Sequence, residues 1–78
     1  MPSLRLFATV RVAAGTGKAS IDGATVAEVL ENASNEYGPE FAELLPVCRI
    51  WVNGQAAGAD TEVSDTDEVA LLPPVSGG

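Results

Sequence analysis

The residues with the clearest chemical potential are the last six of the sequence, Pro73-Pro74-Val75-Ser76-Gly77-Gly78. Two adjacent prolines favour an extended chain that rises ~3.1 Å per residue, so that six residues span on the order of 19 Å. Ser76, Gly77 and Gly78 have little side-chain bulk and suit a narrow channel in a partner protein. The reactive group is the α-carboxylate of Gly78, which no Cβ shields. The pattern predicts a tail that delivers a carboxylate to the active site of another protein.

A carboxylate is a poor acyl donor until it is activated. Its attack on the α-phosphate of ATP gives an acyl-adenylate, and a sulfur nucleophile can then replace AMP and leave a thiocarboxylate. The glycine-rich stretch Gly15-Thr16-Gly17 is too short for a phosphate-binding loop. A separate enzyme must therefore supply the activation, and we expect this chain to be a carrier or a substrate rather than a catalyst.

The composition narrows the remaining function classes. The 78 residues suffice for one small domain, and 46% of them are hydrophobic, which is enough for a core. The absence of histidine excludes His-based acid–base catalysis, catalytic triads that need His and His-ligated metal sites. The net charge of −7 disfavours binding to nucleic acid or to anionic lipid.

The sequence also indicates a cytoplasmic protein. Cys48 is the one cysteine, which fits a reducing compartment. Arg5 and Arg11 interrupt the N-terminal apolar residues, so a signal peptide is not expected. No apolar run approaches the ~20 residues of a membrane-spanning helix.

Alternating apolar residues predict strands at both ends of the sequence. Residues 3–12 alternate as one long strand, although residues 10–14 could instead form a turn of helix before Gly15. A short return strand is expected at residues 18–22. Residues 47–53, 55–57 and 68–72 predict three further strands, and Asn53-Gly54 predicts a tight turn between the first two.

One helix is clearly predicted between these strands. Thr25 is expected as its N-cap, and Glu28 three residues later completes a capping box. Its apolar stripe comprises Val26, Val29, Leu30, Ala33 and Tyr37. Gly38-Pro39 ends the helix, and residues 40–45 predict a second helical turn that stops at Pro46.

The order of elements predicts an α+β fold with a mixed sheet of four or five strands and one main helix packed on one face. We expect residues 1–72 to form this domain and residues 73–78 to form an extended, flexible tail. Strand parity places Leu4, Leu6, Ile50, Val52, Val69 and Leu71 towards the helix. Phe7, Trp51, Ala70 and Leu72 would then lie on the uncovered face, where exposed aromatic side chains are candidates for a protein-binding patch.

The sequence resembles the ubiquitin-like (β-grasp) sulfur carriers of the MoaD and ThiS type, and most closely the MoaD type. The matching segments are LFATVR at residues 6–11, VNG at 52–54 and DEVALLPPVSGG at 67–78, and the last is the most specific. The resemblance covers essentially the whole chain and implies a β-grasp fold.

The resemblance also implies a function and partners. Gly78 would be adenylated by an enzyme like the ubiquitin-activating one and receive sulfur from a donor protein. The tail residues Pro74, Val75, Ser76 and Gly77 would enter the large subunit of molybdopterin synthase (MoaE type), where precursor Z takes the sulfur. Phe7 and Leu72 match the apolar docking surface of the family, and Arg11 matches a position that could orient the tail or a partner. Trp51 is a candidate from strand parity alone. No bound cofactor is expected, since ATP is used by the activating enzyme.

Other interpretations remain open. The same chemistry could serve a cysteine, thiamin or natural-product pathway, and a ubiquitin-like modifier would couple the activated Gly78 to lysine amines. The Gly-Gly end could also be incidental to a binding module. Phe7 and Trp51 could simply pack together to stabilise the sheet, and Arg11 could be an ordinary strand-surface cation. Cys48 is interpreted as a small buried hydrophobic residue.

Overall fold

The chain folds into a five-stranded sheet with helices on one side, as seen in a computed structural model that describes residues 1–74. The strands are β1 Ser3–Leu6, β2 Lys18–Ser20, β3 Arg49–Val52, β4 Gln55–Ala56 and β5 Glu68–Leu72. The helices are α1 Ala8–Ala14, α2 Val26–Tyr37 and α3 Pro39–Leu44, and a 3₁₀ turn follows at Leu45–Val47.

The strand order is β2-β1-β5-β3-β4, so the last strand of the chain lies in the middle of the sheet. β5 is parallel to β1 and antiparallel to β3, while the two outer pairs are antiparallel. The predicted mixed sheet is therefore confirmed, with five strands. Leu71 lies opposite Leu6 on one side and opposite Ile50 on the other. This register aligns the inward-facing side chains of the three central strands.

The core lies between the sheet and the helices. β1 contributes Leu4 and Leu6, and β5 contributes Val69 and Leu71, each no more than 2% exposed. The helices contribute Val10 from α1, Val26, Val29 and Ala33 from α2, and Phe41 from α3. Burial of these aliphatic and aromatic side chains is the main favourable term in folding.

The start of α2 agrees with its sequence prediction. The Thr25 side chain accepts a hydrogen bond of 3.2 Å from the Glu28 backbone N–H. The Glu28 carboxylate accepts one of 3.2 Å from the backbone N–H of Ala24 rather than from that of Thr25. Both contacts satisfy N–H groups that the first helical turn leaves without partners.

The prediction of one long strand over residues 3–12 was wrong, and the alternative of a helical turn at residues 10–14 before Gly15 is confirmed as part of a longer helix. β1 ends at Leu6, and residues 8–14 form α1, which Gly15 ends in the left-handed conformation with φ 76°. The helix places Val10 in the core, but Val12 is 81% exposed instead of buried beside it. Alternating residues at positions 10 and 12 cannot share one face of a helix, because side chains recur every 3.6 residues.

The remaining elements are close to their predicted bounds. The return strand ends at Ser20, and the strand predicted from residue 47 begins at Arg49, because Leu45–Val47 is a 3₁₀ turn. The tight turn is confirmed, since Asn53 and Gly54 have φ values of 50° and 83°. Within residues 1–74, the helices are too short or too polar to cross a lipid bilayer.

Candidate functional site

The tail begins at the end of the central strand. β5 ends at Leu72, and Pro73 and the exposed Pro74 follow directly. The predicted tail residues Val75, Ser76, Gly77 and Gly78 lie outside the described residues. Because β5 has neighbours on both sides, the tail starts between the C-terminal end of β1 and the N-terminal end of β3.

The side of the sheet opposite the helices is termed the open face. It carries Ser3, Arg5, Phe7, Lys18, Ser20, Arg49, Trp51, Ala56, Glu68, Ala70 and Leu72. The strand registers arrange these side chains in transverse rows. The central row crosses all five strands as Lys18, Arg5, Ala70, Trp51 and Ala56. The tail row consists of Phe7, Leu72 and Arg49, and it lies where the chain leaves the sheet.

Phe7 is presented at the junction of β1 and α1. Its backbone is extended (φ −129°, ψ 153°), and Ala8 follows it with φ 53°. The Phe7 side chain is 39% exposed. The guanidinium carbon of Arg5 lies 5.6 Å from the centroid of the Phe7 ring, and Arg5 Nη1 lies 3.9 Å from Glu68 Oε2. Phe7, which matches the apolar docking surface of the family, is therefore exposed and lies against the guanidinium group of Arg5.

Trp51 has small neighbours on both sides. Its register partners are Ala70 on β5 and Ala56 on β4, so the flanking strands present only methyl groups beside the half-buried indole. A shallow groove continues from Trp51 to the outer edge of β3 and is lined by Cys48, Arg49, Ile50, Trp51, Ala56 and Ala57. The parity-based placement of Trp51, Ala70 and Leu72 on the uncovered face agrees with the structure.

The structure contradicts two of the interpretations that the sequence left open for these side chains. Phe7 and Trp51 do not form a packed aromatic pair, because β5 separates their strands; the aromatic pair in residues 1–74 is Tyr37 with Phe41, at 5.2 Å. Arg11 is not a strand-surface residue. It lies in α1, and the position that a Cβ on Gly17 would take is 3.2 Å from its Nε atom.

Sequence reasoning missed three residues of the open face, namely Arg5, Lys18 and Arg49. For Arg49 a signal was present in the sequence: it precedes Trp51 by two positions in β3, and residues with this spacing in a strand lie on the same face. Lys18 required the register, since only its pairing opposite Arg5 extends the central row to β2.

Two titratable groups near β3 have shifted pKa values. The Asn53 side chain donates a 2.8 Å hydrogen bond to the Asp67 carboxylate, and with the Ser64 backbone N–H it lowers the pKa of Asp67. Burial raises the pKa of the Cys48 thiol, whose Sγ lies 3.2 Å from the Leu44 carbonyl oxygen. A raised pKa leaves less thiolate at neutral pH and makes a poor nucleophile.

The geometry of the open face is suited to docking. Among residues 1–74, no three side chains with metal-ligating groups converge. The open face instead combines accessible aromatic and aliphatic side chains with cations beside the origin of the tail. Such a surface can bind a protein and position the tail relative to it.

Comparison with known proteins agrees with this geometry. The ThiS family matches residues 4–78. Small archaeal modifier protein 3 of Haloferax volcanii is 36% identical, over 96% of this chain and 96% of that protein. The solution structure of small archaeal modifier protein 1 from Methanosarcina acetivorans superimposes with a TM-score of 0.88 at 31% identity, covering 97% of this chain and 94% of that one.

A third similarity involves a complex. A chain of the protein–protein complex of subunits 1 and 2 of molybdopterin-converting factor from Helicobacter pylori has a TM-score of 0.70 and 28% identity, covering 97% of this chain and 96% of that one. The predicted β-grasp fold is confirmed by these structural neighbours. The chain belongs to the ThiS family of ubiquitin-like sulfur carriers and modifiers.

Proposed function

We propose that this chain is a cytoplasmic sulfur carrier whose Gly78 carboxylate is adenylated and then converted to a thiocarboxylate. The observation that carries the proposal is the origin of the tail. The tail continues from the central strand at Leu72, beside Phe7 and Arg49 on the open face. A partner that binds this face therefore receives the tail at a fixed starting point, with Gly78 six residues further along the chain.

The carrier chemistry requires two steps on an activating enzyme. In the first, a carboxylate oxygen of Gly78 attacks the α-phosphate of ATP and releases pyrophosphate. In the second, a sulfide equivalent attacks the acyl carbon and AMP leaves with the electron pair of the broken C–O bond. The chain binds no cofactor in this proposal, since ATP is consumed by the activating enzyme and the sulfur comes from a donor protein.

The acceptor pathway in this proposal is molybdopterin synthesis. The chain would act as the small subunit of molybdopterin synthase, and its thiocarboxylate would donate sulfur to precursor Z inside the large subunit. Support comes from the 28% identity to a chain of the Helicobacter pylori molybdopterin-converting factor complex. The terminal segment DEVALLPPVSGG supports the same assignment.

Intact-mass measurement tests the carrier step. The protein is incubated with ATP, the activating enzyme from the same organism and a sulfide source. The expected result is a mass gain equal to replacement of one oxygen by sulfur, mapped to Gly78. No gain with an enzyme that is active on another carrier contradicts the proposal. Addition of the large subunit and precursor Z then tests the pathway, and a thiocarboxylate that is stable towards both indicates a different sulfur acceptor.

A truncated variant provides the control. Deletion of Gly77 and Gly78 removes the acceptor carboxylate but leaves every strand and every core residue in place. The variant should unfold at the same urea concentration as the full chain and should gain no sulfur. If it retains full cellular function, the Gly-Gly end is incidental.

A protein modifier is the second candidate function. The 36% identity to small archaeal modifier protein 3 favours it. An amine of a target lysine would then replace AMP on the same adenylate and form an amide. Adducts that survive thiol reductants, and that the deletion of Gly77 and Gly78 abolishes, indicate conjugation; a free thiocarboxylate without such adducts indicates sulfur transfer.

A further inference from the structure

The charged side chains are divided unequally between the two sides of the sheet. The protein has eleven acidic residues and four basic ones, yet three of the four cations, Arg5, Lys18 and Arg49, lie on the open face. Among residues 1–74, Glu68 is the one acidic side chain on the open face. The other ten occur in the helices and loops rather than in the strands. The open face is thus locally positive on a strongly acidic protein.

Two of these cations are available to a partner. Arg5 is already engaged by Phe7 and Glu68. Within residues 1–74, no ion pair involves Lys18 or Arg49, and both side chains are exposed. Lys18 lies on the edge strand β2, and Arg49 lies opposite Leu72 on β3. In the strand order, β2 and β3 are three strand spacings apart, and each spacing is about 4.8 Å. The side chains of β2 and those of β3 are therefore about 14 Å apart across the sheet.

Apolar side chains lie between and beside these two cations. The strands between Lys18 and Arg49 present Phe7, Ala70 and Leu72. Arg5 lies next to Lys18 in the same row, and Trp51 lies on β3 two residues after Arg49. Many protein interfaces combine an apolar centre with a polar or charged rim. This arrangement favours a partner with acidic residues at the rim of its binding surface, because an unpaired cation buried against a neutral or basic surface is unfavourable.

We propose that the open face binds an acidic surface of the adenylating enzyme, with an apolar patch against Phe7, Leu72 and Trp51 and carboxylates opposite Arg49 and Lys18. This inference rests on the proposed function, which requires such an enzyme to receive the tail. It adds the charge of the docking surface and the two cations that recognise it.

The unequal distribution of charge between the open face and the rest of the surface also affects how this chain and the enzyme approach each other. An acidic enzyme repels the helices and loops of this chain and attracts the open face, so productive orientations are favoured before contact. Arg49 has the larger expected effect because it lies beside the origin of the tail, where a small error in orientation displaces Gly78.

The test measures association rates between the full-length chain and the adenylating enzyme from the same organism by stopped flow. Arg49→Gln and Lys18→Gln each remove one positive charge from the open face. Asn35→Asp is the matched control, since it changes the net charge equally at an exposed position of α2. Arg49→Gln should slow association about threefold to tenfold, and Asn35→Asp by less than about twofold. The difference between wild type and Arg49→Gln should vanish as salt rises from about 0.05 to about 0.5 M.

Each other outcome overturns the inference. Equal slowing by Arg49→Gln and Asn35→Asp means that net charge, not the open face, controls association. Unchanged rates for both glutamine variants mean that the cations take no part. Binding to RNA or to vesicles of anionic phospholipid, lost in Arg49→Gln while binding to the enzyme is retained, assigns the cations to phosphate instead.

The intact-mass assay on the same samples separates this inference from the proposed function. If wild type gains sulfur but Arg49→Gln associates at the wild-type rate, the proposed function is supported and the inference about the cations is contradicted. Wild type that binds the enzyme but gains no sulfur contradicts the function, while the association rates still decide the role of Arg49 and Lys18. Wild type that does not bind the enzyme contradicts both.

Discussion

Arg5 lies over the face of Phe7, with its guanidinium carbon 5.6 Å from the ring centroid. Its other neighbour is Glu68, at 3.9 Å from Nη1. Arg5 thereby links an aromatic ring at the end of β1 to a carboxylate on β5 and restrains the orientation of that ring. Cation–π contacts at exposed sites contribute about 0.5–1 kcal/mol. The contact matters more for how Phe7 is presented than for the stability of the fold.

Replacement of Phe7 by alanine should weaken docking without unfolding the protein. Because the ring is 39% exposed and outside the core, we expect a stability loss of only about 1 kcal/mol and an affinity loss of about tenfold for the adenylating enzyme. Urea unfolding and titration calorimetry measure the two effects. Val12→Ala is the control, since Val12 is 81% exposed on α1, away from the open face. Equal affinity losses for the two variants would show that Phe7 has no special role.

The Asp67 carboxylate should make stability depend on pH. Hydrogen bonds from Asn53 and Ser64 lower its pKa in the folded state, so its stabilising effect is present above the unfolded pKa and is lost as pH falls through the folded pKa. Asp67→Asn should therefore be less stable than wild type at neutral pH, and the difference should shrink in acid. Urea unfolding across a pH series measures this.

A second variant tests the cause of that shift. Asn53→Gly keeps a residue suited to φ 50° but removes the amide that donates to Asp67. It should flatten the acid dependence of stability relative to wild type. Parallel pH curves for wild type, Asn53→Gly and Asp67→Asn contradict the assignment.

The turn after Phe7 should gain stability from glycine. Ala8 has φ 53°, a left-handed conformation that costs a non-glycine residue roughly 1–2 kcal/mol. Ala8→Gly should raise the free energy of unfolding by about 0.5–1 kcal/mol, after the added entropy of the unfolded glycine is deducted. Ala13→Gly, within α1, should lower it by about 1 kcal/mol. Chemical denaturation distinguishes the two signs, and a loss at position 8 contradicts strain there.

Phe41 should be the most sensitive position of the helical layer. It is fully buried, and its ring centroid lies 5.2 Å from that of Tyr37. Phe41→Ala should cost about 3–5 kcal/mol, much of the stability of a small domain. Phe41→Leu should cost less and remain measurable by urea unfolding. Val47→Ala, at a 58% exposed apolar residue, should cost less than about 0.5 kcal/mol.

Local patterns predicted the elements whose stabilising contacts lie within a few residues. α2 begins at Val26 because Thr25 and Glu28 bond to nearby backbone groups, and Asn53-Gly54 forms its turn because both residues tolerate positive φ. The alternation in β5 correctly separated the buried Val69 and Leu71 from Ala70 and Leu72. Contacts of this kind depend on residue type and spacing, which are visible in the sequence.

Local sequence patterns did not decide whether the segment after Leu6 forms a strand or a helix. Residues 8–12 fit a strand period, yet they form a helix because packing against α3 buries Val10 in the common core. That contact joins residues some thirty positions apart, and no short-range pattern contains it.

By itself, the sequence determined the α+β composition, the main helix, the hairpin turn and a tail rich in proline and glycine. Only the tertiary structure placed β5 in the middle of the sheet, so that the tail starts beside Phe7 and Arg49. It alone brought Lys18 into a row with Arg5 and Trp51, and decided that Arg11 lies in a helix rather than in a strand. The physical reason is that strand order and register follow from which apolar faces bury one another, and this depends on residues that are distant in the chain.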